Sequence, residues 1–160
     1  MIDAKPVSLP IVQHFKFYSL TLLRILTKHT RNRWLSYPNV ILISTRPDLS
    51  YSASLVSRYM SNPSKRHWEA SKWILRYLVW SKNSKLVYQR SAEPKLELYG
   101  YVDVDYAGDL DKMRSLTGYL FLFGPNLISW KASLQPIVAI STTEAEYMAL
   151  TEAIKEALWL

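Results

Sequence analysis

Apolar residues recur along this chain with two different periods. Over residues 49–60 and again over 64–81 they return every three or four positions, which predicts two amphipathic helices. Pro47 suits the first turn of the first helix, and Pro63 marks the break before the second. Ahead of these helices the run 40–44 is rich in β-branched residues and predicts a short strand.

The period becomes two at Leu96 and continues to Asp105. Two further strand-like runs, 117–123 and 127–131, follow after short turns, the first of which is predicted at 107–109. Short connections of this kind join antiparallel strands, so the three runs predict a meander. The helical period then returns near the C-terminus. The predicted class is therefore α/β in the α+β arrangement: a helical N-terminal region, then three antiparallel strands and one long helix.

The change of period also suggests how the chain divides. Residues 1–43 are poorly organised and resemble a linker, while 44–94 are predicted to be helical. Residues 95–160 carry the strands and the last helix. The polar stretch 83–94 is the predicted boundary between these two folded parts.

Composition excludes several kinds of site. The chain has no cysteine, which rules out disulfides, thiolate zinc sites and cysteine nucleophiles. The N-terminus has early prolines and no apolar run of signal-peptide type, and no apolar stretch reaches the ~20 residues of a membrane span. We therefore expect an intracellular protein, cytoplasmic or nuclear, without a membrane partner.

The net charge of +7 hides a strong asymmetry. Residues 1–95 carry 16 Lys and Arg against 4 Asp and Glu, for +12, whereas 96–160 carry 4 against 9, for −5. A basic half beside an acidic half is typical of nucleic-acid contact next to metal-binding chemistry. The alternative is two solvated surfaces of opposite sign that dock on each other.

The second predicted helix combines basic and aromatic side chains. Lys65, Arg66, Lys72 and Arg76 lie off its predicted apolar face and are interspersed with tryptophans and a tyrosine. Such a helix can lie along a phosphate backbone. The alternative is that the aromatic rings belong to the core and the basic groups are merely solvated.

Glu146 occupies an unusual position on the last helix. At ~100° per residue it falls inside an apolar arc, whereas Glu144 falls outside that arc. This arc contains Tyr147, Leu150, Ala153, Ile154, Ala157 and Leu158. A carboxylate on a packing face needs a partner, and two capping boxes compete for the helix start, Ser141 with Glu144 or Thr143 with Glu146.

Asp103, near the end of the first strand, is the candidate partner of Glu146. A helix packed across the sheet would bring the two carboxylates together, and Mg²⁺ or Mn²⁺ would relieve their repulsion. Such ions activate water for phosphodiester cleavage. The alternative is that these aspartates are ordinary turn and cap residues.

Two long strings of residues point to a family. The string YVDVDYAGDLDKMRSLTGYLFLFGPNLISW, followed by STTEAEYMALTEAIKEALWL, closely resembles the ribonuclease H domain of copia-type LTR-retrotransposon Pol polyproteins. The string STRPDLSYSASLVSRYMSNPSKRHWEASKWILRYL is similar to the segment that joins the reverse transcriptase to that domain. Together the resemblance covers about 44–160.

The resemblance implies an enzyme that cuts the RNA strand of an RNA–DNA hybrid with two metal ions, Mg²⁺ or Mn²⁺. It implies that Asp103 and Glu146 are metal ligands and catalytic residues, and that nucleic acid and the rest of Pol are the partners. Two further family aspartates have no position within these 160 residues. We therefore expect a truncated ribonuclease H-like fold that is inactive alone; the alternatives are a non-catalytic nucleic-acid-binding fragment or a pseudogene product without a selected role.

Overall fold

The computed structural model describes residues 7–10, 43–60, 63–90 and 97–160. The chain forms two compact units, Met1–Ser84 and Lys85–Leu160. Helices and a three-stranded antiparallel sheet confirm the predicted α+β class. Most of the predicted linker-like segment lies outside the described residues, and the three-part division stays a prediction.

The strand predicted over 40–44 is wrong at the two positions that the structure describes. Ile43 and Ser44 are helical, and 40–42 lie outside the described residues. A short apolar run fits a buried helix as well as a strand, so its sequence alone does not decide between them.

Two long helices make up most of the described part of the first unit. Helix α1 spans Pro47–Ser57, with its proline in the first turn as predicted, and helix α2 spans Lys65–Trp80. Ser64 precedes α2, and its backbone N–H donates to His67 Nδ1 at 2.8 Å, which closes the helix start. The two helices share a buried cluster formed by Leu49, Val56, Ala70, Ile74 and Tyr77.

The second unit begins with the predicted meander. Strands β1 (Leu98–Asp109), β2 (Arg114–Phe123) and β3 (Asn126–Leu134) lie in the order β1-β2-β3, and all pairs are antiparallel. The turn predicted at 107–109 is instead an irregularity inside β1, where Ala107 has a φ of 52°. The chain reverses at 110–113, so the turn begins three residues later than predicted.

Helix α3 spans Thr142–Trp159 and packs on the sheet. The hydrogen bonds at the start of α3 decide between the two predicted capping boxes. The Ser141 hydroxyl accepts a hydrogen bond from Glu144 N at 3.1 Å, and the Glu144 carboxylate accepts one from Ile140 N at 2.7 Å. The Ser141–Glu144 register is therefore the real cap, which leaves Glu146 without a capping role.

The packing face of α3 differs from the predicted apolar arc. Its buried stripe is Ala145, Ala149 and Ala153, of which only Ala153 belongs to the predicted arc, and it is centred roughly a third of a turn from the middle of that arc. Leu150 is 45% exposed, and Glu146 is exposed as well. Three small side chains let the helix backbone approach the sheet closely, while the large rings of β2 fill the core. The prediction that Glu146 lies on a packing face was therefore wrong.

No helix in the described parts of the chain combines the length and apolar character needed to cross a membrane.

Candidate metal and nucleic-acid sites

Glu146 lines a groove between α3 and β1. The groove has a volume of about 450 Å³ and a largely apolar lining, with Val102 contributed by the strand. On the helix side, Tyr147 and Leu150 continue the apolar wall. Glu146 is thus a single carboxylate at the edge of an apolar groove on the helix side of the sheet.

Asp103 lies on the other side of the sheet. Val102 packs with the core beneath α3, and side chains alternate along a regularly paired strand, so the next side chain points away from the helix. The Asp103 carboxylate is exposed and accepts a hydrogen bond from Val104 N at 2.8 Å. Helix α3 does pack across the sheet as predicted, but it does not bring Glu146 onto the face that carries Asp103.

The carboxylates of this unit do not form a ready cation site in the described residues. Within 7–10, 43–60, 63–90 and 97–160, no group of three or more His, Asp or Glu side chains could hold a metal ion. Two carboxylates on opposite sheet faces do not offer the convergent oxygen ligands that Mg²⁺ requires. These residues do not fit a two-metal site in this arrangement, and the metal and catalytic roles of Asp103 and Glu146 stay predictions.

Another aspartate of β1 is an ordinary turn residue. Asp109 is buried, and its Oδ1 accepts hydrogen bonds from the backbone N–H groups of Asp111 and Lys112 at 3.1 and 3.2 Å. It therefore shapes the β1–β2 turn, as aspartates in turns often do.

The basic side chains of α2 lie beside its tryptophans. Lys72 Nζ is 5.5 Å from the centre of the Trp68 ring, and Arg76 Cζ is 5.0 Å from that of Trp73. At ~100° per residue, Lys65, Lys72 and Arg76 project within about 40° of one another. The helix thus presents a stripe that combines positive charge with indole rings. This geometry is compatible with stacked, charged recognition, although the nucleic-acid role of these residues and of Arg66 stays a prediction.

Gln135 has a position that its sequence context did not reveal. It is only 3% exposed, and its backbone N–H donates to Ser115 O at 2.9 Å. Its side-chain Nε2 donates to Thr117 Oγ1 at 3.1 Å and to Ala145 O at 2.9 Å, joining β2 to α3. A glutamine in a loop just before a proline carries little signal, because only the packed helix buries it.

Comparison with known proteins identifies the family. The chain is 43% identical, over an alignment of 166 residues, to the retrovirus-related Pol polyprotein from transposon TNT 1-94 of Nicotiana tabacum. It is 37% identical over 162 residues to the corresponding polyprotein from transposon RE1 of Arabidopsis thaliana. Each alignment covers 100% of this chain but only 12% and 11% of the relative's length.

A shorter relative matches as well. Secreted RxLR effector protein 161 of Plasmopara viticola is 43% identical over 75% of this chain and 83% of its own length. No known family profile and no solved structure matches the chain. Since this similarity extends over the whole chain, the protein is homologous to one part of the retrovirus-related Pol polyproteins of plant transposons.

Proposed function

We propose that this transposon-derived Pol fragment has a second unit of ribonuclease H ancestry that does not cleave RNA–DNA hybrids by itself. Its ancestry is supported by the order of elements, three antiparallel strands followed by a helix packed across them, together with the Pol relatives. The observation that carries the lack of cleavage is the separation of Asp103 and Glu146 by the sheet.

Phosphodiester cleavage in such a site depends on carboxylates that hold metal ions against one phosphate. When bound there, the ions would supply the activated water and stabilise the leaving oxygen. Asp103 presents its oxygens on one face of the sheet, and Glu146 lines the groove on the other. Neither side chain alone can position both the attacking and the leaving oxygen.

The test is cleavage of a labelled RNA–DNA hybrid by the full chain with Mg²⁺ or Mn²⁺. We expect no metal-dependent cleavage above background, and the same result for Asp103→Asn and Glu146→Gln. Circular dichroism of each protein controls for folding. Cleavage that the full chain performs and Asp103→Asn abolishes would overturn the proposed inactivity, and would show instead that the carboxylates converge on the substrate.

A second function, binding of single-stranded nucleic acid through α2, has its own support. The first 95 residues carry a charge of +12, and the described helix holds Lys72 and Arg76 against indole rings. Bases stack on such rings while cations contact the phosphates. This binding requires no metal ion.

Fluorescence anisotropy with a labelled single-stranded RNA tests this function. Lys65→Ala combined with Arg66→Ala removes two exposed charges and should weaken binding by about tenfold at low salt. Lys112→Ala, combined with Lys155→Ala, removes the same charge from the second unit and should change the affinity much less. Equal losses in both double variants would mean that overall charge, rather than α2, drives the binding.

A further inference from the structure

A second groove runs along the opposite flank of α3. It has a volume of about 440 Å³ and lies between the helix and β3. Its lining is more polar than that of the groove beside Glu146. Its walls are formed by Thr117, Lys131, Ser133, Leu134, Gln135, Pro136, Met148, Thr151 and Glu152.

Gln135 is the buried polar group of this groove. The side-chain amide of Gln135 has a fixed orientation, because its Nε2 donates to Thr117 Oγ1 and to Ala145 O. The Ala145 carbonyl oxygen can only accept, so the amide nitrogen must face it. Its Oε1 is buried and has no hydrogen-bond partner among the described protein atoms. A buried acceptor left without a donor costs about 1–3 kcal/mol, so the site favours a ligand that donates there.

The rest of the lining provides further acceptors beside an apolar wall. Glu152 supplies a carboxylate whose pKa is lowered, first by its hydrogen bond from Lys155, so it is ionised at neutral pH. Thr151 donates its hydroxyl hydrogen to Tyr147 O at 2.8 Å, which leaves its oxygen lone pairs as acceptors. Leu134 and Met148 form the apolar wall of the groove. A planar group with several N–H donors on an aliphatic stem matches this combination, and guanidinium is such a group.

Strand β3, which borders the groove, could position such a group by pairing with an added peptide strand. In the described sheet β3 is an edge strand, and such a strand can pair with an added one. At its first residue, Asn126, the side chain is hydrogen-bonded to the backbone of Gln89, so the added strand would pair beyond that residue. Lys131 and Ser133, two residues apart on β3, both line the groove. An extended peptide paired with this edge would alternate its side chains and direct every second one to the same face.

We propose that the groove between β3 and α3 binds the arginine side chain of an extended peptide added to the edge of β3. Within the lining, the charge of Lys131 opposes that of Glu152, whose carboxylate lies 3.8 Å from Lys131 Nζ and 2.7 Å from Lys155 Nζ. Electrostatic support for a cationic ligand over a phosphate therefore comes from the second unit as a whole, because residues 85–160 carry 7 Lys and Arg against 10 Asp and Glu, for −3. The site differs from the candidate metal site and requires no metal ion, so it stands independently of ribonuclease H ancestry.

Titration of the isotope-labelled full chain with short peptides tests the proposal. The probe is a capped heptapeptide of alternating threonine and valine with a central arginine, compared with the same peptide carrying norleucine. We expect shifts in the backbone amides of β3 and in the Gln135 side-chain amide. The arginine peptide should bind about tenfold more tightly than the norleucine peptide.

A protein variant tests the contribution of the carboxylate. Glu152→Gln alters a partly exposed residue whose ion pairs contribute little to folding. This variant should bind the arginine peptide about fivefold more weakly than the wild type does, and its affinity for the norleucine peptide should be unchanged. The control Glu97→Gln removes the same charge beside β1 at the far end of the sheet, and should preserve the difference between peptides.

Several results would overturn the proposal: equal binding of both peptides, equal arginine binding by Glu152→Gln and the wild type, or no shifts at β3 with millimolar peptide. Adenosine monophosphate shifting these amides when the arginine peptide does not would also overturn it, in favour of a nucleotide site.

Discussion

At the scale of single residues, Asp48 links the two helices of the first unit. Its carboxylate accepts hydrogen bonds from Arg46 at 2.7 and 2.9 Å and from the Tyr77 hydroxyl at 2.8 Å. Arg46 also donates to Ser81 Oγ at 2.7 Å, at the end of α2. The hydrogen bond from Arg46 lowers the pKa of Asp48 more than any other contribution, while burial opposes it.

This arrangement predicts a pH-dependent stability. Because the folded-state pKa of Asp48 lies below its ordinary value of 3.8, its contribution is present above that value and lost as the pH falls through the folded pKa. Asp48→Asn should lower the free energy of unfolding by about 1–2 kcal/mol at pH 7. Urea unfolding at pH 7 and pH 3 measures the difference, which should shrink at the lower pH.

Tyr77→Phe is the matched control because it removes one hydrogen bond and keeps the Arg46–Asp48 pair. It should retain most of the pH dependence. A loss in Asp48→Asn that is the same at both pH values would show that the carboxylate acts only through packing.

Two glycines of the sheet offer another residue-scale comparison. A Cβ built on Gly100 would lie 2.6 Å from the buried Phe121 ring, whereas one on Gly118 would meet only Asp103 O at 3.9 Å. Gly100→Ala should therefore lower the free energy of unfolding by about 1–3 kcal/mol, because the Phe121 ring is held in the core and must move. Gly118→Ala should change stability by less than about 0.5 kcal/mol. Thermal unfolding measures both, and equal effects would contradict the close approach at Gly100.

At the scale of elements, α3 shows how an apolar pattern can point to the wrong face. The large apolar residues of the predicted arc are exposed, whereas alanines, including Ala153 and Ala157 at one side of that arc, pack on the sheet. The Tyr119 and Phe121 rings, packed edge to face with centres 5.7 Å apart, occupy the space that larger helix side chains would need. Burial also raises the pKa of Tyr119 to about 12, with Glu156 adding to the shift.

A pair of substitutions separates the two faces of α3. Ala149 is 0% exposed and Leu150 is 45% exposed. Ala149→Leu should destabilise the second unit by about 2 kcal/mol or more through overpacking, whereas Leu150→Ala should cost less than about 1 kcal/mol. Urea unfolding followed by circular dichroism measures both. A larger destabilisation by Leu150→Ala than by Ala149→Leu would instead support the packing face predicted from the apolar arc.

At the scale of the whole molecule, the charge asymmetry places the proposed nucleic-acid binding in the basic part of the chain. Residues 1–95 carry +12 and 96–160 carry −5. Phosphate contacts release counterions, so the affinity for single strands should fall with salt by a logarithmic slope of about 0.7 per contact. Lys65→Ala with Arg66→Ala should reduce that slope by about 1.4, measured by anisotropy over a series of salt concentrations. An unchanged slope would remove these two residues from the interface.

The sequence alone was enough to predict most of the described local elements of this protein. Prolines, cap residues and hydrophobic periods predicted α1, α2, the meander and two competing caps for α3, because each depends on neighbouring residues in the chain. Similarity to Pol polyproteins likewise depends only on the order of residues. These features needed no knowledge of distant contacts.

Only the tertiary structure decided which side chains meet. Helical phase gives the direction of Glu146 relative to its own helix, but the rotation of α3 on the sheet depends on tertiary packing. Ala153 and Ala157 pack with the Tyr119 and Phe121 rings of β2, and Ala145 and Ala149 are buried as well. That rotation leaves Glu146 exposed and buries Gln135 between strand and helix. Strand alternation then places Asp103 on the other face. Packing between elements distant in the chain therefore determined the site, which the pattern of each element could not specify.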